Sequence, residues 1–219
     1  MLDFVAIDFE TATCKYDSAC SVAAVEIKDG IEVSSYYTLI RPPENRYDWR
    51  NTRVHGLRAR DTAEERSFTE IWPELCAYLA GKIVAAHNAP FDMGVLRQSL
   101  EARGLALPRF DYFCTVRLSQ KVWPELESHK LNVMGEYLGV DFKHHHALED
   151  ARACAAIPVA AMQRTGKGSL PDLLEALGIN LKDFSAPVVK KPKRPWRRKQ
   201  NTVSELNLTP QANNAIIAK

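Results

Sequence analysis

A chain of 219 residues, 46% of them hydrophobic, can bury one substantial core and is too apolar to remain unfolded throughout. No apolar run approaches the roughly 18 residues of a membrane span, and MLDFVAIDFE carries acids where a secretory leader needs a basic start, so a cytoplasmic location without membrane contact is expected. The net charge of +2 hides an asymmetry: residues 185–219 carry eight Lys/Arg and one acid, Glu205, whereas residues 1–184 carry 21 basic and 26 acidic residues.

Strands come first in the chain. Phe4 to Asp8 is a short apolar run, followed by Ser21 to Lys28 and Ile31 to Ile40. Asp29-Gly30 between two β-rich runs predicts a hairpin. Arg41-Pro42-Pro43 ends the third strand, because proline donates no ladder hydrogen bond, and residues 42–66 read as polar loop. Helical spacing then begins. Ile71, Leu75, Tyr78 and Leu79 form one apolar face, with Ser67 or Thr69 as cap and Gly81 as stop.

Lys82 to Ala86 reads as a buried strand, and Pro90 opens the next helix where a missing N–H costs nothing. Phe91, Val95, Leu96 and Leu100 are its core face. Tyr112 to Val116 is predicted as strand, Leu131 to Leu138 as a helix stopped by Gly139, and a further core helix starts near Ala147. Pro158 is expected to break that helix into two segments. Leu170 to Leu177 makes one more short helix. Three strands followed by alternating helices and strands predict a three-layer α/β domain on a mixed sheet.

Three acidic clusters sit at the ends of these elements. Asp8 and Glu10, two apart at a strand end, present both carboxylates on one side of the sheet. Asp92 falls in the first turn of the helix opened by Pro90, where the helix dipole also favours an acid for purely structural reasons. His145 and Asp150 would lie about 140° apart on one helix, so they share a site only if His145 stands in the preceding loop. His144, His145 and His146 also fit a solvated polar loop or an adventitious metal-binding tract. Ionised carboxylates are costly to bury unless paired or bound to a cation, so convergence of these clusters points to metal-assisted chemistry on a phosphate. Cys14, Cys20, Cys76, Cys114 and Cys154 include no CxxC pair and read as reduced structural thiols.

The order D-x-E-T, then H-N-A-x-F-D, then H-x4-D resembles the DEDDh 3′–5′ exonucleases, a DnaQ-like, ribonuclease H-like family that includes the proofreading epsilon subunit of bacterial DNA polymerase III. The likeness runs from about Val5 to about Met162 and includes Val54-His55-Gly56-Leu57. It implies a three-layer fold with a mixed five-stranded sheet flanked by helices. With the weaker signal beyond Gly166 and the proline and dense positive charge from residue 185 onward, the expected organisation is an exonuclease domain at 1–166, a short helical extension at 167–184 and a basic, proline-containing flexible tail at 185–219. Asp8, Glu10, Asp92 and Asp150 would hold two divalent cations, Mg2+ or Mn2+, as hard ions preferring oxygen ligands. His145 matches the general base, selected from the histidine triplet by its spacing to Asp150. Thr11 and the backbone around Phe9 and Glu10 would cradle the terminal nucleotide, with Asn88 near the entering strand. Phe91 is expected in the core and His87 in a structural hydrogen bond. Many relatives carry Glu on the second strand, where this chain reads Ala19-Cys20-Ser21-Val22; that position is not one of the metal-binding four.

The expected activity is hydrolysis of terminal DNA phosphodiesters to release 5′-mononucleotides, in proofreading or repair. The alternatives are an exoribonuclease of the same fold and a non-catalytic nucleic-acid-binding or polymerase accessory subunit. In the tail, Lys190, Lys191, Lys193, Arg194, Arg197, Arg198 and Lys199 surround Trp196. This density suggests contact with nucleic-acid backbone, with a solubilising tail or docking to a polymerase or repair partner as the competing roles.

Overall fold

The computed structural model describes residues 1–187; the basic tail cluster from Lys190 to Lys199 lies outside them. Three strands open the chain: β1 (Phe4–Thr11), β2 (Ala19–Lys28) and β3 (Ile31–Leu39). The β2–β3 turn has Asp29 and Gly30 both at positive φ, 49° and 80°, the type I′ geometry that Asp-Gly favours. Next come α1 (Trp49–His55), α2 (Ala59–Thr62), α3 (Phe68–Leu79), β4 (Ile83–Ala86) and α4 (Pro90–Glu101). The remainder is β5 (Asp111–Cys114), α5 (Thr115–Val122), α6 (Leu131–Leu138), α7 (Ala147–Thr165), α8 (Leu170–Ala176) and β6 (Lys182–Asp183).

The sheet order is β3-β2-β1-β4-β5-β6. β1–β2, β2–β3 and β5–β6 pair antiparallel, while β1–β4 and β4–β5 pair parallel. Alternation along β1 sorts its side chains between two cores. Phe4 and Ala6 join Ala151, Cys154 and Ile157 of α7 on one face. Val5, Ile7 and Phe9 join Ile71 and Leu75 of α3 and Leu96 of α4 on the other. By the same parity, Asp8 and Glu10 continue the α7 face beyond the end of its apolar stretch. No described helix is long and apolar enough to cross a membrane.

Four expectations require correction. The sheet has six strands because the two-residue β6 adds to the edge at β5. Residues 42–66 are not all loop: α1 and α2 form there, and α1 buries none of its residues, which removes the apolar period that signals a helix. The strand expected over Tyr112 to Val116 ends at Cys114, where α5 begins and buries Thr115, Leu118, Ser119 and Val122. Pro158 does not divide α7, which is assigned as one 19-residue helix. Its packing against β1, β2, α5 and α6 outweighs the lost backbone hydrogen bond, an effect of about 3 kcal/mol. α8 buries Leu170, Leu173 and Leu174 in the core on the α7 side.

Candidate active site

The carboxyl end of β1 supplies two acids on the α7 face, and the first turn of α7 supplies Asp150 directly opposite. Ligand atoms of Asp8, Glu10 and Asp150 all lie within 4.8 Å of one another. Asp92 comes from the first turn of α4, immediately after β4, the parallel neighbour of β1. The Phe9 backbone N–H donates to Asp92 Oδ1 at 3.1 Å, tying this helix start to the strand end. Asp92 stands outside the three-acid group, yet its charge and that of Asp8 are close enough to interact. Asp92 is 1% exposed and Asp150 3%.

Crowding of this kind is electrostatically unfavourable without a cation. Burial, reinforced by Asp92, Asp150 and Glu10, holds the Asp8 carboxyl well above the usual range. Burial and the charges of Asp150 and Asp92 raise Glu10 to about 8. Burial also raises Asp92 to about 8, against the opposing pull of the Phe9 N–H. Asp8 Oδ2 and Asp92 Oδ2 are buried and without a hydrogen-bond partner among the described residues. Buried carboxylate oxygens without a partner, beside a group of three converging acids, are the kind of donor a hard divalent cation requires. The residues present fit that role.

His145 stands in the loop before α7, as its spacing to Asp150 requires. It occupies the left-handed region at φ 68°, and its backbone N–H donates to Asp150 Oδ2 at 2.8 Å. This bond fixes the backbone while the side chain stays 41% exposed, with Nδ1 3.8 Å from Glu10 Oε1. Burial and His144 lower its pKa, Asp150 opposes them, and the net result favours the neutral imidazole. His144 is the residue that spacing arguments set aside. Its Nδ1 lies 2.9 Å from Asp150 Oδ1 and its ring stacks on His145 at 3.9 Å. His146 instead packs on Tyr37, 4.9 Å between ring centroids.

Asp8, Glu10, His144, His145 and Asp150 open into a cleft of about 740 Å3 that also contains Phe9, Thr11, Asn88 and Phe91, whereas Asp92 and His146 do not line it. Asn88 sits at φ 66° in the tight link between β4 and α4, a conformation asparagine tolerates better than most residues. Phe91 is only partly in the core: it packs edge-on against Tyr16 and also lines the cleft. His87 Nδ1 pairs with Thr115 Oγ1 at 2.9 Å. One wall comes from α1, which contributes Arg50, Asn51, Val54 and His55. Asn51 Nδ2 donates to Thr11 O, Thr11 Oγ1 and Thr13 O at 2.9, 3.1 and 3.1 Å, and His55 Nε2 lies 3.2 Å from Thr11 O. The lining also includes Gln120, His129, Lys130 and Asn132. Of these residues, only Val54 and His55 are signalled in the sequence, through the Val54-His55-Gly56-Leu57 stretch of the family likeness.

The chain spans 14% of the length of a PolC-type DNA polymerase III from Thermotoga petrophila, to which it is 33% identical over 193 residues, 86% of this chain. Its fold is similar to that of Exonuclease X, solved with 5′ overhanging duplex DNA (TM-score 0.60, 24% identity, 76% of this chain and 94% of that one). It is also similar to that of a 3′-exonuclease solved in a study of 3′-end recognition of histone mRNA stem-loop (TM-score 0.60, 16% identity, 75% and 64%). Residues 5–157 match the family model described as Exonuclease, which takes in all five acidic and histidine positions of the cluster. The chain belongs to the Exonuclease family.

Proposed function

We propose that this chain is a metal-dependent 3′–5′ exonuclease that hydrolyses the terminal phosphodiester of DNA and releases 5′-mononucleotides. The observation that carries the reading is the meeting of Asp8, Glu10 and Asp150 within 4.8 Å, beside the partly exposed His145 and in an open cleft. When bound by Asp8, Glu10, Asp92 and Asp150, two Mg2+ or Mn2+ ions would acidify a water and offset charge on the phosphate and leaving oxygen.

The chain's own groups do the rest. His145 accepts a proton from the attacking water, and a base of lowered pKa is already deprotonated at neutral pH. Asp150 fixes the histidine backbone through the His145 N–H, so base and ligand share one anchor. The backbone near Phe9 and the Thr11 side chain hold the terminal nucleotide, with α1 bracing Thr11 through Asn51 and His55. Asn88 lines the route of the entering strand. A polymerase or repair protein is the proposed macromolecular partner, in keeping with the polymerase likeness.

RNA is the alternative substrate, since a neighbour in fold was solved in a study of histone mRNA. Discrimination between the two depends on contacts to the 2′ position. The test is product analysis: matched DNA and RNA oligonucleotides are digested in Mg2+ or Mn2+, and the released nucleotides are resolved by chromatography. DNA yielding 5′-mononucleotides faster than RNA is expected. Release of 3′-mononucleotides, or internal fragments in place of monomers, would overturn the assignment.

A further inference from the structure

The segment from Arg46 to Arg60 has an arrangement that the cleft chemistry does not use. It holds five arginines, Arg46, Arg50, Arg53, Arg58 and Arg60, against one acid, Asp48, within a body that is acidic overall. All five are exposed. Arg60 lies 3.6 Å from Asp61, but Arg46, Arg50, Arg53 and Arg58 have no ion pair among the described residues. Four exposed guanidinium groups without a carboxylate partner leave positive charge available to an anion.

The segment is also rigidly held. Thr62 Oγ1 donates to Asn45 Oδ1 at 2.8 Å, Asn45 Nδ2 to Ala59 O at 2.7 Å, and Tyr47 OH lies 3.0 Å from Thr62 Oγ1. These bonds fold Arg46 and Arg58 into one unit. The Asp48 N–H donates to Ala12 O at 2.8 Å, and Asn51 clamps the unit to the end of β1. Arg50 and Val54 line the cleft, and Arg53, three residues after Arg50, shares that side of α1. Trp49 is 68% exposed with the Arg50 guanidinium over its ring at 5.5 Å, and Val54 is 51% exposed. Cations on a firmly held backbone, interleaved with exposed apolar and aromatic surface, make a platform for a nucleic-acid strand.

We infer that this arginine ridge binds the phosphate backbone of the nucleic acid whose 3′ end lies in the cleft, beyond the terminal nucleotides the cleft itself holds. The inference rests on the exonuclease reading for its substrate and concerns a surface distinct from the acidic cluster. The ridge attracts a polyanion to the one side of an acidic body from which Thr11 and the carboxylates are reached. It acts on binding and leaves the hydrolytic step alone.

The test uses the full chain with Arg46→Ala, Arg53→Ala and Arg58→Ala combined, and the three Arg→Lys changes as a charge-preserving control. Two substrates are compared in Mn2+: the 4-nitrophenyl ester of thymidine 5′-phosphate, too short to reach the ridge, and a labelled 20-nucleotide DNA. Binding of the same DNA is followed by fluorescence anisotropy in EDTA across a salt series. The alanine variant is expected to weaken DNA binding at least about tenfold. Its plot of log affinity against log salt should be shallower by about 2, three phosphates at roughly 0.7 each. KM for the oligonucleotide should rise with kcat unchanged, ester hydrolysis should match the parent, and the lysine variant should restore the salt slope. An unchanged affinity and salt slope in the alanine variant overturns the inference, as does an equal loss on the small ester. If the parent hydrolyses neither substrate but shows ridge-dependent anisotropy, the ridge stands and the exonuclease reading fails.

Discussion

Metal-free protein should lose stability as the pH rises from about 4.5 to about 8, and divalent cations should reverse that loss. The sign follows from three carboxyls whose pKa values are raised on folding. Asp8, Glu10 and Asp92 keep protons in the folded state that the unfolded chain has already released. Where the native state binds more protons than the unfolded state, stability falls with pH. The contribution is fully present below the unfolded values near 4 and is lost as each group ionises in place. For Glu10, whose side chain is 12% exposed, a rise from 4.5 to about 8 corresponds to roughly 5 kcal/mol. A domain of this kind has about 5–15 kcal/mol of total stability, so even part of that term is measurable. Urea unfolding of chelator-treated protein at pH 5 and pH 8, with and without Mg2+, provides the assay. The expected result is lower stability at pH 8 without metal, and a larger stabilisation by Mg2+ at pH 8 than at pH 5. Asp92→Asn should flatten the pH dependence. A metal-free stability that is level or increasing over this interval would refute the electrostatic account of the cluster.

Three further outcomes are expected. Asn51→Ala removes the side chain that satisfies Thr11 and Thr13 and should cost about 1–3 kcal/mol in urea unfolding, with KM for oligonucleotides raised more than kcat is lowered. Gly94→Ala would place a Cβ 2.5 Å from Tyr16 Cε2, forcing that ring away from α4, and should destabilise by about 1–3 kcal/mol in the same measurement. Deleting residues 187–219 should weaken DNA binding and reduce its salt dependence if the tail touches nucleic acid; unchanged values would assign the polyanion attraction to the folded body alone.

What the sequence makes legible follows physical cause. Asp8, Glu10, Asp92 and Asp150 are readable as acids at element ends because the apolar runs beside them are fixed by the core, while the choice of His145 and the grouping of all five follow from the family likeness. The β2–β3 turn and α6 are readable because Asp29-Gly30 and Gly139 have strong local preferences. The helix α1 is not readable, because hydrogen bonds from Asn51, His55 and the Asp48 N–H, rather than buried apolar side chains, hold it in place. α5 buries Leu118 and Val122 as its large apolar residues, too few to distinguish it from a strand extension. The unbroken course of α7 through Pro158 depends on packing against elements distant in the chain, β1 and β2 above all, which no local signal carries. His144 was hidden for a related reason: its contact with Asp150 depends on how the loop folds back on α7.

The central claim is that the acids at the end of β1 and the histidine before α7 together hydrolyse nucleic acid from its 3′ end. It is tested most directly by a time course on 5′-labelled DNA in Mg2+ with the parent, Asp8→Ala and His145→Ala proteins, each confirmed folded by circular dichroism. The account predicts stepwise shortening from the 3′ end by the parent and its abolition by EDTA. It also predicts losses of about 10²–10⁴-fold or more for His145→Ala, the range typical of a missing general base, and a comparable or greater loss for Asp8→Ala. Full activity in both variants, or degradation that persists in EDTA, would contradict it.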